Sequence, residues 1–148
     1  MKATELRIGN LLASRRITKA DNTCTVIGIF STDCLIEYEY NNMHHLPDKN
    51  KMLVDLKDLH PIPLTEEWLL RLGFEKKRHK WKDGSVSPND YWLDEFNVVV
   101  DKRTYKPEVH YILGRRDSSN GSEYIKGIEH VHQLQNLYFA LTGEELKH

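Results

Sequence analysis

Pro61-Ile62-Pro63-Leu64-Thr65-Glu66-Glu67-Trp68-Leu69 decides how the chain is divided. The two prolines withhold two ladder donors and hold the backbone extended, so a β pattern that runs up to them stops there. Thr65 then caps a helix, with Glu66 and Glu67 against its positive end. Leu64 and Leu69 stand at staple spacing. Gly73 closes the helix in a left-handed conformation, and Phe74 can fold back on Leu69 in a Schellman close. This boundary predicts two parts, residues 1–62 and 63–148, the second packed against the first.

Upstream of it the sequence is all β. Leu6-Arg7-Ile8-Gly9-Asn10-Leu11-Leu12 alternates around a Gly-Asn pair suited to a bend or bulge. Thr23 to Phe30 is rich in β-branched residues, and Gly28 within it marks a kink or a close backbone approach. After the turn Ser31-Thr32-Asp33, Cys34, Ile36, Tyr38 and Tyr40 point one way and Glu37 and Glu39 the other. Met52-Leu53-Val54 follows the turn Asp48 to Lys51, and Leu56, Leu59 and Ile62 recur at the spacing of a short 3₁₀ turn. Short strands joined by tight turns predict a small barrel over residues 1–62.

Downstream the pattern is helix, strands, helix. Glu75 to Lys82 reads as a basic hairpin and Gly84 to Asp90 as a loop, with Pro88-Asn89-Asp90 a turn signal. Strands are expected over Trp92 to Asp101, around Val109, Tyr111 and Leu113, and as an edge over Glu123 to Ile128. The whole is α+β: a small barrel, then an antiparallel sheet with two helices on one of its faces.

The closing helix, Val131 to Thr142, carries no charged side chain in a chain that is 29% Asp, Glu, Lys and Arg. Val131, Leu134, Leu137, Tyr138 and Leu141 fill one arc of about 120°, the stripe that faces a core. His132, Gln133, Gln135, Asn136 and Phe139 occupy the rest, where Lys and Glu would ordinarily sit. Amides and an aromatic hydrogen-bond well and desolvate cheaply, so this flank is a surface made to be covered. The cover is the N-terminal part, a second copy or a protein partner.

Composition narrows the classes. A net charge of −1 over 148 residues gives no global field toward nucleic acid or an anionic membrane. No apolar run approaches the roughly 20 residues a membrane helix needs, and the N-terminus lacks the core of a signal peptide. A soluble, cytoplasmic protein without membrane contact is expected. Cys24 and Cys34 are too few for a disulfide framework and read as small buried hydrophobes in a reducing compartment.

Leu6-Arg7-Ile8-Gly9-Asn10, Pro61 to Leu69 and Val131-His132-Gln133-Leu134-Gln135-Asn136-Leu137-Tyr138-Phe139 together resemble a family of small uncharacterised proteins carried by bacterial chromosomes, prophages and other mobile elements. The likeness covers the ends and middle of the chain and implies a link to such elements, but no chemistry. Arg7-Ile8-Gly9-Asn10-Leu11 also resembles the first strand of SH3-like small barrels. That implies an SH3-like barrel for residues 1–62, a fold that hosts many unrelated roles.

Candidate chemistry is sparse. Lys76, Lys77, Arg78, Lys80 and Lys82, with Trp81 to stack on a base, could lie along a phosphate backbone; equally, lysines protect a sheet edge. His130 and His132, with His110 and Asp94, would make a metal site only if residue 130 is extended. On a helix the two rings point about 200° apart. Cys24, Cys34 and His44 lack the short knuckle of a zinc site. Asp94-Glu95 and Glu144-Glu145 are paired in sequence only, and no nucleophile elbow, phosphate loop or dinucleotide fingerprint is present. The sequence therefore predicts a non-catalytic protein-interaction module without a cofactor, acting on a protein partner or on itself. Contact with nucleic acid is the alternative, and a metal-assisted enzyme a third reading.

Overall fold

A computed structural model describes residues 1–18, 22–41, 47–80, 84, 86–93, 98–105, 108–116 and 122–146. The protein is α+β, with two five-stranded antiparallel sheets and two α-helices among the described residues. The chain forms two compact units, 1–62 with 130–140, and 63–129 with 141–148. The change of unit between Ile62 and Pro63 follows the proline pair. The expectation that both helices cover the second sheet differs from this division, because residues 130–140 of the last helix group with the first unit.

In the first unit, β1 (Leu11–Ser14), β2 (Thr23–Ile29), β3 (Asp33–Asn41), β4 (Pro47–Asp55) and β5 (Leu59–His60) are ordered β4-β3-β2-β1-β5. A 3₁₀ turn over Leu56–Asp58, capped by Asp55 accepting from the N–H of Lys57 at 2.9 Å, separates β4 from β5. The alternation set in sequence becomes two faces. Leu12, Cys24, Val26, Cys34, Ile36, Val54 and Leu59 form the buried core with Leu6, Ile17 and Leu56. Both cysteines are free and buried; burial pushes the Cys24 thiol up to about 12, and its Sγ donates to the Leu12 carbonyl at 3.4 Å. In β2 the register shifts between Val26 and Gly28. A Cβ on Gly28 would stand 3.2 Å from that of Leu35, so a larger residue there requires Leu35 to give way by a few tenths of an ångström. The sheet is open, whereas a barrel was expected. β4 and β5 are its two edges and are not paired, because β5 has only two residues, both used on β1.

The first helix of the second unit is α1 (Glu66–Arg71), which keeps the cap and the C-terminal close read above. Thr65 Oγ1 accepts from Trp68 N at 3.3 Å. Phe74 N donates to Leu69 O at 3.0 Å and Gly73 N to Leu70 O at 3.1 Å, with Gly73 at φ +85. These two bonds are the Schellman pair, and Leu64, Leu69 and Phe74 are buried. Then β6 (Glu75–Lys80), β7 (Val86–Leu93), β8 (Val98–Tyr105), β9 (Glu108–Arg116) and β10 (Ser122–Ile128) form a meander in chain order.

Residues 86–90 are strand where a loop over Gly84 to Asp90 was expected, and the strand expected over Trp92 to Asp101 is divided between β7 and β8. The register of β7 gives the reason. Lys77 pairs Asp90 and His79 pairs Ser87, so Pro88 and Asn89 fall in a bulge, where the missing proline donor breaks no ladder bond. The β7–β8 pairing begins only at Asp90. No described helix is long and apolar enough to cross a membrane.

Candidate interaction surface

The last helix, α2 (Val131–Thr142), opens just after His130. The His130 N–H donates to Gln133 Oε1 at 3.3 Å, a side-chain cap on the first turn. Facing α2 within the same unit is the segment Glu5 to Leu11, whose shape is set by Gly9. Asn10 N donates to Arg7 O at 3.2 Å, and Gly9 takes φ +93, which makes Arg7 to Asn10 a turn with glycine in its third place. Gly9 N donates to Val26 O at 2.8 Å and Val26 N to Asn10 O at 2.9 Å, so two residues oppose one in a glycine bulge. β5 ends at His60, opposite Ala13. Among the described residues, the Leu11 N–H therefore has no strand beside it on that flank.

The amides of α2 take the place of the missing strand. Gln135, only 2% exposed, accepts from Leu11 N through Oε1 at 2.8 Å and donates from Nε2 to Gly9 O at 3.2 Å. Asn136 donates to Glu5 O at 2.9 Å and accepts from Asn10 Nδ2 at 2.8 Å. Asn10 Oδ1 accepts from Arg7 N at 2.8 Å. The Arg7 guanidinium lies 3.5 Å over the Phe139 ring. The flank His132, Gln133, Gln135, Asn136 and Phe139 is thus engaged inside the first unit, and much of its cover is the turn of residues 5–11.

His130 and His132 also come together. Because His130 precedes the first helical residue, the rings are not turned apart as two helical positions would be. They stack with centroids 5.7 Å apart at 27°. Burial first, and His130 second, lower the pKa of His132 to about 4, with Glu5 offsetting a part. The Nδ1 atoms of both rings are buried without a hydrogen-bond partner among the described residues. No three metal-ligating side chains converge among the described residues. Asp94, Glu95 and His44 lie outside them, and Glu144 and Glu145 are exposed on the C-terminal segment.

The basic stretch is divided. Lys76 to Lys80 lie on β6, the edge of the second sheet, while Trp81 and Lys82 lie outside the described residues. Lys76 is held by Glu66 at 2.8 Å, with its ammonium 5.7 Å from the Tyr91 ring.

The outer face of the first sheet carries residues that no motif marks. Gly28, Leu35 and Leu53 are in direct register across β2, β3 and β4. The Phe30 ring closes over Gly28, 3.7 Å from where its Cβ would be. Phe30 is 54% and Leu53 58% exposed, and Leu35 is half-buried between them. The row is flanked by Asp33 opposite Asp55 on one side and Glu37 opposite Lys51 on the other. Alternation alone could have found Leu53, since it breaks a pattern in which its neighbours Met52 and Val54 face inward. No protein family, curated protein or solved structure matches the chain.

Proposed function

We propose that the protein is a non-catalytic interaction module whose contact surface is the outer face of the first sheet. The observation that carries this is the row Phe30, Leu35 and Leu53, contiguous over three strands, largely exposed at both ends and rimmed by charge. Single exposed apolar residues are ordinary, but a connected row rimmed by charged groups is the composition of a protein-contact patch. The strand order, the 3₁₀ turn ahead of β5 and the bulge in β2 support reading the first unit as an opened relative of SH3-like small barrels. Two free, buried cysteines suit a cytoplasmic setting, and the link to mobile elements rests on the resemblance of the three sequence stretches. Contact with nucleic acid through Lys76, Lys77, Arg78, Lys80, Trp81 and Lys82 has less support, because Lys76 is engaged by Glu66 and lysines on an edge strand also deter pairing.

A peptide library displayed against the immobilised full chain tests the reading. Enriched peptides are expected to bind wild type and to lose at least about tenfold in affinity with Phe30→Ser or Leu35→Ser, and to bind Leu70→Ser, altered in the other unit, as they bind wild type. An unenriched library, or peptides indifferent to Phe30 and Leu35, would overturn it.

A further inference from the structure

The outer row ends on a strand edge, and the chemistry of that edge names an occupant. β4 has nine residues and no neighbour on its outer side among the described residues. Leu56 N donates to Thr32 O at 3.0 Å, which extends the β3–β4 ladder and fixes its phase. Backbone groups of Asn50, Met52 and Val54 turn toward β3, and those of Lys49, Lys51, Leu53 and Asp55 turn to the open edge. An edge strand that offers its donors and acceptors at alternate residues can only be met in a register that respects them.

We propose that β4 pairs with β4 of a second copy of this chain, antiparallel about a two-fold axis at Leu53, joining the two first-unit sheets into one. This deepens the interaction reading above and rests on it. The stretch Lys51-Met52-Leu53-Val54-Asp55 is self-complementary under that axis. Leu53 meets Leu53 of the partner subunit, and each Lys51 meets an Asp55 from the other copy. Met52 meets Val54 on the inner face, where both already pack on the core. The pairs about Leu53 and Lys51 are the hydrogen-bonded ones, matching the groups that β4 turns outward. A register shifted by one residue would set outward groups against inward ones and reverse the faces.

Lysines on an edge repel an arbitrary incoming strand; a copy of the same strand carries Asp55 where Lys51 needs it, so the charge selects the partner. Just past the strand, Lys49 falls opposite Lys57; Lys49 is paired with Glu37 at 3.2 Å within its own copy, and Asp55, 2.7 Å from Lys57 of its own copy, is shared between that lysine and the incoming Lys51. A two-fold axis makes the contact isologous and closed, giving dimers and not fibres.

Sedimentation and light scattering of the full chain over a concentration series reaching about 1 mM, the weak end of specific association, test the proposal. A concentration-dependent dimer is expected. Leu53→Lys and Lys51→Glu are each expected to weaken it at least about tenfold, and Lys51→Glu with Asp55→Lys to restore it. Circular dichroism checks that each variant is folded. Amide exchange gives a second readout: Leu53 and Lys51 should gain protection only at concentrations where the dimer forms, while Met52 and Val54 are protected throughout. A monomer over the whole range, a dimer indifferent to Leu53→Lys, or a dimer in which the Leu53 amide still exchanges freely would overturn it. If the protein stays monomeric while the selected peptides bind through Phe30 and Leu35, the second copy is rejected and the interaction reading stands.

Discussion

Burial of the His132 imidazole at 5% exposure, with His130 stacked on it, holds the ring neutral in the folded state down to about pH 4. In the unfolded chain the same ring takes up a proton near pH 6.5. The folded form therefore binds fewer protons across that window, and stability falls as the pH is lowered through it. The contribution is complete above about pH 6.5 and lost progressively toward pH 4, on the order of 3 kcal/mol in all. The groups facing the ring are His130 on its own segment and Glu5 ahead of β1. Denaturant melts from pH 7 to pH 4 should show wild type losing stability at up to about 1.4 kcal/mol per pH unit. His132→Leu should flatten the upper part of that dependence, and parallel curves for the two proteins would refute the assignment.

Among the elements, α2 shows what a sequence can and cannot disclose. That its uncharged flank would be covered was legible, because the absence of Lys and Glu from an exposed helix face is a local signal. The N-terminal part was one of the covers expected, but the segment of it was not legible, because Glu5 to Leu11 lies far earlier in the chain and acts largely through backbone groups that no side-chain pattern reveals. The structure makes Gln135 a substitute for strand pairing, bonded to both Leu11 N and Gly9 O. Gln135→Ala should cost about 2 to 3 kcal/mol, since it leaves a buried donor and a buried acceptor unmet. A cycle of Asn10→Ala and Asn136→Ala should return a coupling of about 0.5 to 1.5 kcal/mol from their shared bond. Equilibrium denaturation checks both, and additive single effects would show that the two amides act separately. α1 was legible at both ends, since cap and Schellman close are local. β7 was not, because Pro88-Asn89-Asp90 carries the composition of a turn and only pairing with β6 shows it to be a bulge. The edge status of β4 was hidden for the same reason: which flank of a strand is open depends on the order of all five.

At the scale of the whole molecule, the first unit is discontinuous in sequence. Its sheet is complete by Ile62, yet the helix that bonds to Gly9 and Leu11 arrives only after residues 63–129 of the second unit, whose remaining residues 141–148 follow it. The two places where the chain changes unit are tied to each other, with Val131 N donating to Ile62 O at 3.0 Å on the first side and Leu64 N to Glu129 O at 2.8 Å on the second. A pair of adjacent chain ends is the condition under which an inserted segment can be removed and a short connection put in its place. Residues 1–62 alone leave the backbone groups of Gly9 and Leu11 without their partners, in a chain already near the size at which burial is marginal. That fragment is expected to be unfolded. Ile62 joined through a few glycines to His130, with the chain continued to Thr142, is expected to fold, since the linker needs to span only one hydrogen-bonded pair. Dispersed amide signals from the joined chain, a poorly dispersed spectrum from residues 1–62, and protection of the Leu11 amide in the former would establish the first unit as a body closed by α2. A well-dispersed spectrum from residues 1–62 alone would mean that α2 is an attachment to a self-sufficient sheet, and the cost expected for Gln135→Ala would then have to appear without loss of the fold.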